Sequence, residues 1–221
     1  GPLYRQVLSW IHEHGRPRNY LEIGVNMGNS FRLAGPETRA VGVDPAIDPG
    51  ERNNSRTFKM ESDYFFLNED VYAHMNGTIQ CAFIDGMHHF DQVIRDFINV
   101  EKHCQKDSLI LLHDVLPTRP EVGTREKQTK MWTGDVWKAV AILRKIRSDL
   151  TLIFVPTMPS GLLFVTNLNP NSTVLADRFD ELVETWMSEE LPQKTSTHLV
   201  WMRALKNEED TVRAFIYDLW K

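Results

Sequence analysis

The sequence is short of several things, and each shortage excludes a class of protein. It has two cysteines in 221 residues, Cys81 and Cys104, too few for the disulfide framework of a small secreted domain. Both fall in apolar or helical stretches, where a reduced, buried thiol is expected. No apolar run approaches the roughly 20 residues that span a bilayer, and no charged-then-apolar leader opens the sequence. A reducing, cytoplasmic setting is the expectation. Positive charge is also scarce. The 25 Lys and Arg stand against 30 Asp and Glu, a formal net charge of -5, which argues against gripping nucleic acid through bulk charge. Internal repeats, low-complexity tracts and Pro/Gly/Ser linkers are missing as well.

What is present suits a single globular domain. Hydrophobic residues make up 42% of the chain, an ordinary share for a packed core, and the length fits one domain of about 50–250 residues. Residues 20–25, 40–43, 81–84 and 109–112 are short apolar runs that read as buried strands, with 56–60 a weaker one. Residues 151–155 and 162–166 read as a hairpin joined by a Pro-Ser-Gly turn. Helical spacing covers 3–14, 64–75, 90–103, 133–149 and 174–187, and a helix is also expected to begin at 29–34. The polar stretch 117–131 reads as an ordered loop or lid. Alternating strands and helices, with strands that are apolar throughout, predict a mostly parallel sheet covered on both faces. The economical division is a domain over 1–195 and a helical appendage over 196–221. In that appendage Leu199, Trp201, Phe215 and Trp220 form an apolar set that leaves two readings open, docking onto the domain or self-association as a homodimer.

The first strand runs into LEIGVNMGNS. Glycine after such a strand lets the backbone turn sharply and approach a nucleotide-like ligand. A dinucleotide fingerprint G-x-G-x-x-G starting at Gly24 needs glycines at 26 and 29. The sequence has Asn26 and Asn29, and reads instead Glu22-x-Gly24-x-x-x-Gly28 followed by Asn29-Ser30. Asp44 closes the second strand 20 residues after Gly24, where an acid can accept both ribose hydroxyls. Ser62 and Asp63 follow the third strand, where a Ser-Asp pair is an ordinary helix cap; the resemblance of the 24–28 glycine loop to class I methyltransferases implies that they lie near an adenine ring. Glu22, Gly24, Gly28, Ser30, Asp44, Ser62, Asp63 and Asp85 are the candidate cofactor-binding residues.

IDGMHHFD and LLHDVLP are the other informative segments. Each is an apolar strand ending in an acid, Asp85 and Asp114. Adjacent parallel strands lie about 4.8 Å apart, so two such carboxylates can share one cation. Charged groups seldom finish a buried strand without a partner. Three of the chain's eight histidines, His88, His89 and His113, fall at these ends. His88 and His89 are candidate bases beside Asp85, with His88 the better placed. Neighbours on a regular strand face opposite sides, so His113 and Asp114 meet one ion only if the strand has broken there.

The Glu22-x-Gly24-x-x-x-Gly28 loop resembles the first motif of class I S-adenosylmethionine-dependent methyltransferases. Asp-Gly-x-His-x-Phe at 85–90, followed by His113-Asp114, resembles a family of sugar and natural-product O-methyltransferases that includes cephalosporin-hydroxylase-like and macrolide-tailoring proteins. The likeness covers about residues 20–166. It implies an α/β, Rossmann-like class I methyltransferase sandwich, a mostly parallel seven-stranded sheet with a C-terminal antiparallel hairpin. It implies S-adenosyl-L-methionine as cofactor and magnesium held by Asp85, His113 and Asp114. His113 stands where several relatives carry a carboxylate, and a nitrogen ligand admits manganese. The residue two after Asp85, an acid in some relatives, is Met87 here, which moves any base to His88 or His89.

An aliphatic hydroxyl needs a metal or a base to become a nucleophile, and an amine does not. The acid and histidine cluster therefore favours oxygen as the methyl acceptor, on a sugar, oligosaccharide or glycosylated small molecule. Trp132, Trp137, Asp135 and Arg119 are candidate acceptor contacts, and Arg125, Lys127 and Lys130 add charge to the same loop. Plainer roles compete: the tryptophans can seat a helix and Asp135 can cap one. A methyltransferase without metal, a NAD-type oxidoreductase and an inactive binding module are the alternatives. The missing glycines count against the second, and the retained acids against the third.

Overall fold

The computed structural model describes residues 2–46, 54–192 and 202–221. Its strands are β1 (Asn19–Ile23), β2 (Arg39–Val43), β3 (Ser55–Phe58), β4 (Ile79–Ile84), β5 (Cys104–His113), β6 (Thr151–Val155), β7 (Leu162–Thr166) and β8 (Arg203–Ala204). They form one sheet in the order β3-β2-β1-β4-β5-β7-β6-β8. The first five are parallel, while β7 runs antiparallel to both β5 and β6. The strand order reverses between β1 and β4, which opens a crevice at their C-terminal ends, the usual ligand position in such sheets.

The helices are α1 (Tyr4–Trp10), α2 (Ser62–Asn68), α3 (Val71–Met75), α4 (Phe90–Glu101), α5 (Trp137–Ile146), α6 (Val174–Asp177), α7 (Phe179–Met187) and α8 (Glu209–Leu219). Because strand side chains alternate, the apolar runs feed two cores. Leu21, Ile23, Ala82, Ile84, Ile110 and Leu112 pack with α4 and α5 on one face. Tyr20, Cys81, Phe83, Leu109 and Leu111 pack with α1 and α8 on the other. At about 1.5–3 kcal/mol for each large side chain buried, these strands hold the sheet and fix the ends that carry the site. Beside them the buried Arg147 pairs with the buried Glu101 through two bonds of 2.7 and 2.8 Å and also reaches the half-exposed Asp149.

The fold class follows the expected pattern, with local differences that have physical causes. The helix expected at 29–34 is only a 3-10 turn, Phe31–Leu33. Val25 and Phe31 pack directly on Gly42 of β2, where a Cβ would lie 2.7 Å from Val25 Cγ2, and Pro36 follows at once. The stretch 64–75 is two helices, because Asp70 turns out of the first and caps the second by accepting from Ala73 N at 3.0 Å. The expected 174–187 helix is also broken, at Arg178. The expected 133–149 helix starts only at Trp137, since Thr133 and Asp135 spend their amides on Val122 and His88.

Among the described residues the sheet has eight strands, where seven are expected. Arg203–Ala204 adds to the free edge of β6 in parallel, and this pairing with the tail had no local sequence signal. In α8, Val212 and Ile216 are buried, the Phe215 ring lies 5.5 Å from that of Phe164, and Trp220 Nε1 donates to Asp107 O at 3.0 Å. Phe215 and Trp220 thus dock onto the domain. Leu199, Trp201 and the 195/196 division lie outside the described residues. Among the described residues, no helix is long and apolar enough to cross a membrane.

Candidate active site

β1 leads into the turn at 24–30. Gly24 has φ +87°, and a Cβ there would stand 2.1 Å from the Asp85 carbonyl oxygen. Glycine is therefore demanded twice, by conformation and by the close approach of the β1 and β4 ends. Gly28 and Asn26 also have positive φ, 71° and 48°, and asparagine is among the few side chains that tolerate it. Asp44 ties the turn to β2: its carboxylate accepts from Asn26 N and Ala46 N, both at 2.8 Å. Glu22 sits beneath the turn, fully buried, and accepts from Tyr20 OH at 2.5 Å and Ser30 Oγ at 2.7 Å. Burial pushes its carboxyl up to about 8, although both hydrogen bonds pull the other way. Gly24, Ser30 and Asp44 line a cavity of ≈ 1080 Å³; Glu22 braces its floor from behind.

At one end of that cavity stand Ser62 and Asp63. Ser62 is not the cap of α2, where Glu61 holds that position. Its hydroxyl donates instead to Asp96 Oδ1 at 2.6 Å. Gln92 Nε2 lies 3.1 to 3.3 Å from Asp96, Asp63 and Ser62. Burial pushes Asp96 up to about 7 against the pull of Ser62 and Gln92. Gln92 and Asp96 escaped the sequence reading. Their one signal there is a polar pair spaced i, i+4 beside the apolar stripe of α4.

At the other end the pairing Ile84↔Leu112 brings Asp85 alongside His113. Asp114 has φ +58°, so the strand breaks immediately after His113 and both side chains turn to one side. Asp85, His113 and Asp114 each offer a ligand atom, and these atoms lie within 4.8 Å of one another. His113 Nδ1 is 3.0 Å from Asp85 Oδ1 and 3.6 Å from Asp114 Oδ1, and Ser160 Oγ donates to Asp114. Burial would raise Asp85, yet the charge of His113 and its hydrogen bond, with the nearby His88, hold it down at about 2. Burial raises Asp114. His113 is lifted to about 9 because Asp85 outweighs its own burial. Two carboxylates and one imidazole nitrogen converging in this way fit a divalent cation with oxygen and nitrogen ligands, magnesium or manganese. The cation and a proton on His113 Nδ1 would exclude each other.

His88 joins this cluster. Its Nδ1 is 3.1 Å from Trp132 O and 3.3 Å from Asp114 Oδ2, and its Nε2 is 3.6 Å from Asp85 Oδ1. A carbonyl only accepts, so in the neutral ring Nδ1 carries the proton and Nε2 the lone pair. His89 stands at the N-cap of α4, just before its first residue, with its ring edge-on to Trp132 at 6.1 Å, and does not line the cavity.

Among the candidate acceptor contacts, Trp132 lines the cavity. It stacks on His88 at 5.3 Å, and its Nε1 donates to Thr124 O at 2.7 Å. The other three lie elsewhere. Trp137 is buried, its Nε1 donating to Gly123 O at 3.1 Å, and it seats α5. Asp135 is buried and caps α4 rather than its own helix, accepting from Phe90 N at 2.9 Å. Arg119 is exposed on the loop, off the cavity wall. Arg125 is held to Asp91 by bonds of 2.7 and 3.2 Å, which fastens the 117–131 loop to the first turn of α4.

A family model described as a methyltransferase domain matches residues 21–115, the stretch that carries the glycine turn, Asp44, Asp85, His88 and Asp114. Three solved structures are similar. The Podospora anserina methyltransferase bound to SAH matches with TM-score 0.58 at 14% identity, over 75% of this chain and 78% of its own. The Streptomyces achromogenes O-methyltransferase involved in tomaymycin synthesis, in complex with SAM, matches with TM-score 0.54 at 15% identity, over 75% and 80%. The Bacillus cereus O-methyltransferase in complex with SAH matches with TM-score 0.50 at 16% identity, over 73% and 78%. No curated protein sequence matches the chain. The chain thus has the class I, S-adenosylmethionine-dependent methyltransferase fold, with a match to the methyltransferase domain at residues 21–115.

Proposed function

We propose that the protein is an S-adenosylmethionine-dependent O-methyltransferase, assisted by a divalent cation, that methylates a hydroxyl of a sugar, an oligosaccharide or a glycosylated small molecule. The observation that carries this reading is the union of two sites in one cavity, the 24–30 turn with Asp44 and the Asp85, His113 and Asp114 cluster. S-adenosylmethionine, when bound, supplies an electrophilic methyl group on sulfur. The 24–30 backbone and Asp44 would hold its amino-acid and ribose parts, and Ser62 and Asp63 its adenine, steadied by Gln92 and Asp96. Asp85, His113 and Asp114 would hold the cation, magnesium by their charge or manganese by the imidazole, which when bound makes a coordinated hydroxyl more acidic.

The chain's own residues do the rest. His88 Nε2 accepts the hydroxyl proton, because Trp132 O holds Nδ1–H and Asp85 and Asp114 stabilise the charge that results. His88 is preferred to His89, which stands off the cavity wall. In-line methyl transfer requires alignment and exclusion of water, and Met131 and Trp132 close part of the cavity wall, held by the bonds of Arg125 to Asp91 and of Trp132 to Thr124. Two free, buried thiols suit the reducing cytoplasm expected for such an enzyme.

The test is transfer of labelled methyl from S-adenosylmethionine to a panel of glycosides, with and without EDTA. EDTA should abolish turnover and magnesium or manganese restore it. Full turnover in EDTA removes the cation and leaves a second reading, direct proton removal by His88, which its contacts with Asp85 and Asp114 already support. No heat of S-adenosylmethionine binding, or wild-type binding by Asp44→Ala, overturns the cofactor site.

A further inference from the structure

Strand alternation decides which helix covers the acid cluster. Cys81 and Phe83 on β4, with Leu109 and Leu111 on β5, face the α1 and α8 side of the sheet, and Phe83 is paired with Leu111. Two residues further on, Asp85 and His113 keep that parity. The first residue of α1, Tyr4, meets His113 on this side. Their ring centroids are 4.1 Å apart with the planes tilted by 39°, closer than the about 4.5–7 Å of ordinary aromatic pairs. Phe83 completes the set at 6.0 Å from each ring, and Tyr4 also lines the cavity.

An imidazole that holds a cation through one nitrogen ordinarily donates its other N–H to a carboxylate, a carbonyl or water, and that bond fixes the ring. His113 Nδ1 faces Asp85 Oδ1 at 3.0 Å. Its Nε2 is buried and has no hydrogen-bond partner among the described residues. Aromatic contact takes the place of the usual brace. With Tyr4 so close, the imidazole cannot turn about its Cβ–Cγ bond without driving an edge into the phenol ring.

Tyr4 is itself anchored. Its amide donates to Met158 O at 3.1 Å, and Met158 N donates to Pro2 O at 3.1 Å. Asn207 Nδ2 donates to Pro2 O and Pro156 O at 3.2 and 3.0 Å. Met158 belongs to the β6–β7 turn, whose Ser160 donates to Asp114. One junction thus braces two members of the cluster, His113 through a ring and Asp114 through a hydroxyl.

We infer that Tyr4 is a positioning residue for the cation site: its ring sets the plane of His113, so that Nδ1 points into the space between Asp85 and Asp114. This rests on the cation reading proposed above and adds to it a residue from the opposite side of the sheet. The test is manganese binding by the full chain without acceptor, read from the electron paramagnetic resonance of the free ion. Wild type is compared with Tyr4→Phe, Tyr4→Leu and Gln6→Ala, the last at an exposed position of the same helix. Loss of an outer-shell partner costs about 10–100-fold in metal affinity, so Tyr4→Leu should bind manganese at least about tenfold more weakly. Tyr4→Phe keeps the ring and should match wild type, as should Gln6→Ala. Near-ultraviolet circular dichroism checks that each variant is folded, and Tyr4→Met, whose flexible chain fills the space without a ring, repeats the loss in a second background. Wild-type affinity in Tyr4→Leu and Tyr4→Met overturns the inference and leaves the cation standing. A loss in Tyr4→Phe equal to that in Tyr4→Leu overturns it too, since the hydroxyl and not the ring would then carry the effect. No manganese binding by wild type, or binding that Asp85→Asn leaves intact, removes the cation from Asp85, His113 and Asp114 and the inference with it.

Discussion

Replacing Glu22 with glutamine should change the pH dependence of stability and little else. Glu22 is fully buried among Tyr20, Ser30 and the underside of the glycine turn, and its carboxyl is raised from 4.5 to about 8 by burial. A raised folded value means that the native state holds a proton the unfolded chain has released. Its contribution is therefore complete below about pH 4.5 and is lost progressively as pH rises to about 8. At 1.36 kcal/mol per unit the whole interval corresponds to about 5 kcal/mol, an upper bound, since water and small shifts would relieve an ionised Glu22. Glutamine reproduces the neutral acid, with an oxygen to accept from one hydroxyl and an amide to donate to the other. Urea unfolding of both proteins, followed by circular dichroism at pH 5 to 9, isolates the effect, because Asp96 and His12 titrate identically in each and cancel. Glu22→Gln should match wild type near pH 5 and exceed it by a few kcal/mol at pH 9. A difference that stays flat across that range, or a variant less stable at pH 9, refutes the placement of the proton on Glu22.

Other perturbations separate fold from site. Gly24→Ala puts a Cβ 2.1 Å from Asp85 O at φ +87°; left-handed strain alone costs about 1–3 kcal/mol, so a lowered Tm and no detectable cofactor binding by calorimetry are expected. Glu101→Ala strips the buried Arg147 of its bidentate partner and should cost about 3–5 kcal/mol in denaturant titration. At temperatures where that variant is folded, its affinity for S-adenosylmethionine should be unchanged, because the pair lies outside the cavity. Asp96→Ala leaves Ser62 Oγ and Gln92 without their shared acceptor; KM for S-adenosylmethionine should rise about tenfold or more with kcat little changed, given about 0.5–1.5 kcal/mol for each hydrogen bond. Equal KM values would remove Asp96 from the adenine end.

What could be read from the chain alone was whatever depends on neighbours in sequence. β1, β4 and β5 are apolar without interruption because both their faces are covered, and glycine spacing in the 24–30 turn is a local demand of the backbone. The unread features depend on partners far along the chain. Asp135 caps a helix that begins 45 residues earlier, although helical periodicity assigned it to its own segment. The helix expected after β1 is lost because Val25 and Phe31 lie against Gly42, a contact between two strands' surroundings that neither strand announces. Gln92 and Asp96 look like a solvated helix face until Ser62 is brought against them.

The acid cluster shows how local and distant information combine. Two apolar runs ending in Asp85 and Asp114 made a shared site legible in outline, because parallel neighbours align their ends. Whether the carboxylates and His113 could face one point depended on register and on a single dihedral angle. The pairing Ile84↔Leu112 places Asp85 beside His113. A slip by one residue would turn every later side chain of β5 to the other face, taking His113 away from Asp85. Even in register, a continued strand would point Asp114 away from His113. The left-handed conformation of Asp114, φ +58°, removes that alternation, and Ser160 from the β6–β7 turn holds the carboxylate in its new direction. Aspartate tolerates that conformation better than most residues with a side chain, so one residue type serves both the break in the strand and the charge at its end.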